Sequence, residues 1–157
     1  MKLLIVSTGI QTQPAIHGGA VETLIDMLIE YNEEHHICDI SLYALYAEKA
    51  EEISKKYYNT KVKYIKRNFV INKAYINNLI PTTLVGAIYI NKVIKELQKL
   101  DEYDMIVVEN EFKYGKKLKK VIQRKNLILH LHNDYINKNV KEVQKKIECY
   151  GNILVVS

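Results

Sequence analysis

Apolar and polar positions fall in blocks along this chain. Six short runs carry the apolar clusters of buried strands: "LLIVS" (3–7), "ICDISLYAL" (37–45), "KVKYIK" (61–66), "MIVVEN" (105–110), "LILHLHN" (127–133) and "NILVVS" (152–157). Between them the period changes to that of a helix. In "GGAVETLIDMLIEYNEE", Val21, Leu24, Ile25, Leu28 and Ile29 recur at helical spacing and predict one apolar face. "YAEKAEEISKKYY" predicts a second helix, and "TTLVGAIYINKVIKELQKL" a third, starting after Pro81. "EFKYGKKLKKVIQRK" and "NKNVKEVQKKIECY" predict two more. Strand and helix alternate, and the strands are apolar without strict alternation. This predicts an α/β fold: a Rossmann-like, doubly wound, mostly parallel sheet of about six strands, flanked by helices. No internal repeat or linker is visible, and the asparagine-rich segment 68–78 predicts an irregular stretch.

In such a sheet, ligands bind outside the carboxyl ends of the strands, where the strand order reverses. The loop from Thr8 to Gly19, the end of the fourth strand (Glu109, Asn110, Glu111) and the end of the fifth (His130 to Asp134) are therefore expected on one rim.

The rim begins with "PAIHGGAVETLI" (14–25), in which His17-Gly18-Gly19 precedes a helix. The first turn of a helix has unpaired N–H groups and a partial positive charge, so a phosphate could approach it across two glycines. Close helix–sheet packing explains the same glycines without a ligand. The usual phosphate signatures do not fit. A Walker A loop needs Lys-Ser/Thr after its glycines, and a dinucleotide fold needs G-x-G-x-x-G with an acid ending the second strand. Receiver domains carry acids after the first strand, where "IVSTGI" has none.

In "HLHND", His130 and His132 project to the same face of a strand. The expectation is that His130 lies within the sheet layer, whereas His132 sits at the tip facing the crevice, able to hold a polar substrate. Glu22 and Glu30 on the first helix read as solvated residues. "HHIC" (35–38) could offer metal ligands, but no second cluster with ligand spacing accompanies it, so no metal site is expected.

Composition narrows the classes. The chain has 157 residues, enough for one domain, and 23 basic against 18 acidic residues give a formal charge of +5. That balance suits anionic partners without choosing among them. Two cysteines make no disulfide framework, so a reducing cytoplasm is the expected compartment. No secretory signal is visible, and the longest apolar stretch, 69–90, is too polar to span a bilayer. The segment "KYGKKLKKVIQRK" carries seven basic residues and no acid. On a helix, Lys113, Lys117, Lys120 and Arg124 would form a stripe opposite Leu118, Val121 and Ile122. Such a stripe is a solvated face or a peripheral contact, through 113–125, with an anionic membrane. Without interleaved aromatics, nucleic acid is not an expected partner.

Four stretches, "PAIHGGAVETLI", "YDMIVVEN", "LILHLHND" and "NILVVS", occur in an order and spacing that resembles the N-terminal half of family-4 glycosyltransferases, two-domain enzymes of the GT-B fold. The likeness is to a bacterial subgroup that includes spore-coat-associated and surface-polysaccharide enzymes, and it is thinnest over residues 45–100. It implies that 1–157 is a single acceptor-binding domain, with the donor-binding C-terminal domain and its Glu-x7-Glu pair absent. By this resemblance Gly18 and Gly19 approach the diphosphate and sugar of a nucleotide-diphosphate sugar, and His132 contacts that sugar at the reaction centre. His17, Glu109, Asn110, Asn133 and Asp134 become acceptor or rim groups. The subgroup usually follows "EN" with Arg-Pro, where this chain has Glu111-Phe112. The implied enzyme is a retaining hexosyltransferase without metal or cofactor, nearly inactive as a lone half, acting on a glycan or lipid-linked acceptor. Two other readings stand beside it: a separate binding subunit of a split glycosyltransferase, and an unrelated Rossmann-like nucleotide binder.

Overall fold

The computed structural model describes residues 1–68, 79, 81–98, 103–133 and 140–156. Six strands form one sheet: β1 (Lys2–Val6), β2 (Asp39–Leu45), β3 (Thr60–Ile65), β4 (Met105–Glu109), β5 (Leu127–Leu131) and β6 (Asn152–Val155). Their order is β3-β2-β1-β4-β5-β6, and every pairing is parallel. The chain is thus an α/β protein with a Rossmann-like sheet. The helices are α1 (Ala20–His35), α2 (Glu48–Ser54), α3 (Thr82–Leu97), α4 (Gly115–Leu118) and α5 (Val140–Ile147).

The pleat divides the strand side chains between two cores. From β1, Leu4 and Val6 join Tyr43, Tyr89, Ile90, Val93, Val108, Leu118 and Leu129 on the α3 side. Leu3 and Ile5 join Val21, Ile25, Ile29, Ile40 and Leu42 under α1. Burial on both faces is why the central strands read as unbroken apolar runs.

Three details differ from the sequence expectation. The apolar face of α1 splits: Val21, Ile25 and Ile29 are buried at i, i+4, i+8, whereas Leu24 and Leu28 are exposed. A stripe one residue wide suffices to seat α1 on β1 and β2. The run 152–157 does form β6, but as an exposed edge in which Ile153, Leu154 and Val155 face solvent. The segment 111–125 is not one helix. It makes a 3₁₀ turn (Phe112–Tyr114), the single turn of α4, and a second 3₁₀ turn (Arg124–Asn126). Like charges at i, i+4 (Lys113/Lys117, Lys116/Lys120) oppose continuation, while Tyr114 and Leu118 anchor the short turns in the core. The predicted continuous basic stripe is therefore absent, and Lys117 instead donates to the Asn91 side chain at 2.8 Å. Most of segment 68–78 lies outside the described residues. No described helix is long and apolar enough to cross a membrane.

Candidate functional site

The strand order reverses between β1 and β4, which opens a crevice at their carboxyl ends. Two constructions stand on that rim.

The first is the loop from Ser7 to Gly19, which is pinned along its length. Tyr114 donates its hydroxyl to the Thr8 carbonyl at 2.7 Å. Arg67 donates to the carbonyls of Gly9 and Ile10 at 3.1 and 2.8 Å. Tyr64 donates to the Gln13 carbonyl, and Gln13-Pro14 is a cis peptide. The side chain of Gln13, fully buried, donates to the Glu22 carbonyl at 2.8 Å and to the Asp26 carboxylate. Asp26 also accepts from the Ala15 N–H at 2.8 Å. Burial pushes the Asp26 carboxyl above its ordinary range; those two hydrogen bonds pull against it, and the charges of Glu30 and Glu22 add to the rise.

Both glycines of the pair have positive φ, 75° at Gly18 and 116° at Gly19, and Gly19 is the N-cap of α1. Their surroundings differ. A Cβ at Gly19 would lie 2.4 Å from a carboxylate oxygen of Glu22, whereas a Cβ at Gly18 would have nothing within 4 Å. Glu22 is not the solvated residue expected from the sequence. It is buried, folds back over the first turn of its own helix and accepts from the Thr8 hydroxyl at 3.0 Å. Close packing thus accounts for Gly19, whereas the space beside Gly18 is open. His17 is exposed beside it.

The second construction joins β4 and β5. Their register sets Glu109 opposite His130, and His132, two residues on, projects to the same side. The Glu109 carboxylate, 4 % exposed, takes both rings. One oxygen, Oε2, lies 2.8 Å from His132 Nε2 and 3.1 Å from His130 Nδ1. A carboxylate accepts, so in this arrangement both of those ring nitrogens carry the hydrogen. The rings lie 4.1 Å apart, centroid to centroid.

Exposure is the reverse of the sequence expectation. The His130 side chain is 27 % exposed and that of His132 only 6 %. Asn110 adopts a left-handed conformation (φ 52°), donates its N–H to the His130 carbonyl at 2.7 Å and accepts the His132 N–H on its side chain at 3.1 Å. These bonds tie the end of β5 to the end of β4, where the His132 ring is hydrogen-bonded to Glu109. His132 Nδ1 is buried without a hydrogen-bond partner among the described residues.

Of the site residues expected from the sequence, Glu109, Asn110 and His132 are in mutual contact. Gly18 and Gly19 belong to the β1–α1 side of the rim. Asn133 is exposed, and Asp134 lies outside the described residues. Glu22, Thr8, Gln13 and Asp26 were not anticipated. A glutamate three residues beyond the N-cap was the available signal, since that spacing lets a side chain reach back over the first turn. Also unforeseen was a triad with metal-ligand chemistry: the donor atoms of Glu109, His130 and His132 all lie within 4.8 Å of one another.

No family model matches this chain, and no solved structure matches it. Over 138 residues, 86 % of its length, it is 28 % identical to an uncharacterized 44.6 kDa protein in the cps region of Klebsiella pneumoniae. The chain spans about a third of that protein, 34 % of its length.

Proposed function

We propose that this chain is the acceptor-binding half of a glycosyltransferase that moves a sugar from a nucleotide-diphosphate sugar to a glycan or lipid-linked acceptor. The observation that carries the reading is the convergence of separated motifs: "HGGAVE", "VVEN" and "LHLHN" stand at the carboxyl ends of β1, β4 and β5, around the switch point of the sheet. The relative in the cps (capsule polysaccharide) region supports a place in surface-polysaccharide synthesis.

In this reading the donor's diphosphate approaches the N-terminal end of α1 beside Gly18, where a side chain would otherwise project into open space. Helix-terminal N–H groups and basic side chains stabilise the leaving diphosphate without a metal. His132, its Nε2 held by Glu109, meets the transferred sugar with the small part of its ring that is exposed, and the Asn110 side chain accepts its backbone N–H. His17 and Asn133 line the acceptor side in this reading. A second α/β half, bearing the Glu-x7-Glu pair that grips the nucleotide, completes the site, and the lone half transfers little sugar because its cleft is open to water.

The relative is about three times as long as the chain's matching share, which leaves room for such a half in the same polypeptide. The exposed aliphatic residues of β6 offer a surface that further polypeptide would cover. The coding frame of the source gene tests the arrangement. A continuation of roughly one domain length with a second α/β pattern and Glu-x7-Glu supports a single two-domain enzyme. A stop codon after Ser157 moves the donor half to a partner subunit. Tight binding of a free nucleotide by the chain alone would favour the unrelated nucleotide-binder reading instead.

A further inference from the structure

We propose that Glu109, His130 and His132 form a binding site for one divalent transition-metal ion of the zinc type. The parallel register puts Glu109 beside His130, and the two-residue period of a strand puts His132 on the same side. Three donors of the types that bind zinc in His₂Glu sites therefore converge from two neighbouring strands.

The distances suit an ion. Zinc–nitrogen and zinc–oxygen bonds of about 2.1 Å meeting at the tetrahedral angle place two ligand atoms about 3.4 Å apart, so the three side chains need to part by only about half an ångström. Glu109 Oε2 lies 2.8 Å from His132 Nε2 and 3.1 Å from His130 Nδ1. That spacing suits the two N–H···O bonds, so ion and protons compete for the same atoms. Binding needs each ring to turn its lone pair to the ion and move its hydrogen to the other nitrogen. At His132 no hydrogen-bond partner among the described residues fixes the role of Nδ1, and the ion would replace the Glu109 hydrogen bond at Nε2. His130 is the more exposed ring and supplies the way in.

The donor set selects the ion. Two imidazole nitrogens and one carboxylate favour zinc, cobalt or nickel over magnesium or calcium, which take oxygen ligands. Three protein ligands leave at least one coordination position open at the rim. A ligand oxygen, such as a phosphate or sugar hydroxyl, is the group that position would take. This inference goes beyond the transfer reading, which uses no metal, and it can fail while that reading stands.

The test is calorimetric titration of the whole chain with Zn²⁺, repeated with Co²⁺ while recording the visible d–d absorption. His130→Gln removes a partly exposed ligand and avoids the folding risk of replacing buried Glu109. His36→Ala controls for ion binding at the sequence neighbours His35, His36 and Cys38. The expected result is one Zn²⁺ per chain at micromolar or tighter affinity, weakened at least tenfold in His130→Gln and unchanged in His36→Ala, with the cobalt band lost in parallel. Absence of saturable binding in that range overturns the proposal. So does binding that His130→Gln leaves unchanged, whether or not His36→Ala removes it.

Discussion

Gly9 and Gly18 both sit at positive φ in the β1–α1 loop, at 69° and 75°, yet alanine should affect them very differently. The conformational cost is common to both, about 1–2 kcal/mol for an L residue in the left-handed region. What differs is the space. At Gly9 a Cβ would stand 2.3, 2.5 and 2.8 Å from three ring atoms of Tyr89, where ordinary contact begins near 3.4 Å. That ring cannot retreat freely, because it is 2 % exposed and its hydroxyl donates to the Tyr43 carbonyl at 2.7 Å. Forcing atoms into a filled core costs about 1–3 kcal/mol, and loss of the buried hydrogen bond about 1 kcal/mol more. Gly9→Ala should therefore lose about 3–6 kcal/mol, a large part of a domain stability of order 10 kcal/mol. Gly18→Ala, with open space around its Cβ, should lose only about 1–2 kcal/mol. Urea titration and thermal melts read the difference, which at about 2–4 °C per kcal/mol is at least about 4 °C in Tm. If the two variants melt together, the packing described around Tyr89 is wrong.

Two further predictions concern charge. Burial raises the Glu33 carboxyl, but hydrogen bonds from Asn59, Thr60 and Tyr58 outweigh it and hold the group below its ordinary value. A depressed carboxyl contributes stability above its unfolded value that is lost as pH falls through the folded one. Urea midpoints from about pH 6 to 3 should therefore drop less steeply in Glu33→Gln than in the wild type; identical slopes would contradict this. Thr8→Val removes the donor to the buried Glu22 carboxylate and should cost about 2 kcal/mol in chemical denaturation, whereas Thr8→Ser should stay close to wild type.

Much of the fold was legible because the two cores demand it. Burial on both faces imposes continuous apolar runs on the central strands, and the edge strand β6 carries such a run although it is exposed. The long helix α3 begins just after Pro81, where the break in pattern placed it. What failed was local. In 111–125 apolar residues at helical spacing fall among like charges, and three short turns win because Tyr114 and Leu118 need only brief anchors. Leu24 and Leu28 look like core residues by spacing, but spacing does not say how wide the buried stripe is.

At the site, the sequence located the rim but not the way its groups bind one another. The His130–His132 pair was visible as H-x-H on a strand. That Glu109 would take both depends on the β4–β5 register, which no single stretch encodes. The exposure of the two histidines is reversed where Glu109 takes the His132 ring and Asn110 binds the His132 backbone from a left-handed conformation, which asparagine tolerates but does not announce. The glycine pair was noticed for its ligand chemistry. Only the fold separates Gly19, filled by the Glu22 carboxylate, from Gly18, which is open.

The most direct test of the central claim is sugar transfer by the natural-length protein. It would be supplied with a panel of radiolabelled nucleotide-diphosphate sugars and membranes from its source, and label would be counted in the lipid-linked and polysaccharide fractions for wild type and His132→Ala. The account predicts transfer from at least one donor, reduced tenfold or more in His132→Ala, while the variant still melts cooperatively, a few degrees below the wild type because Glu109 loses one donor. Full transfer by His132→Ala, or no transfer from any donor by a folded wild type in which both halves are present, would contradict it.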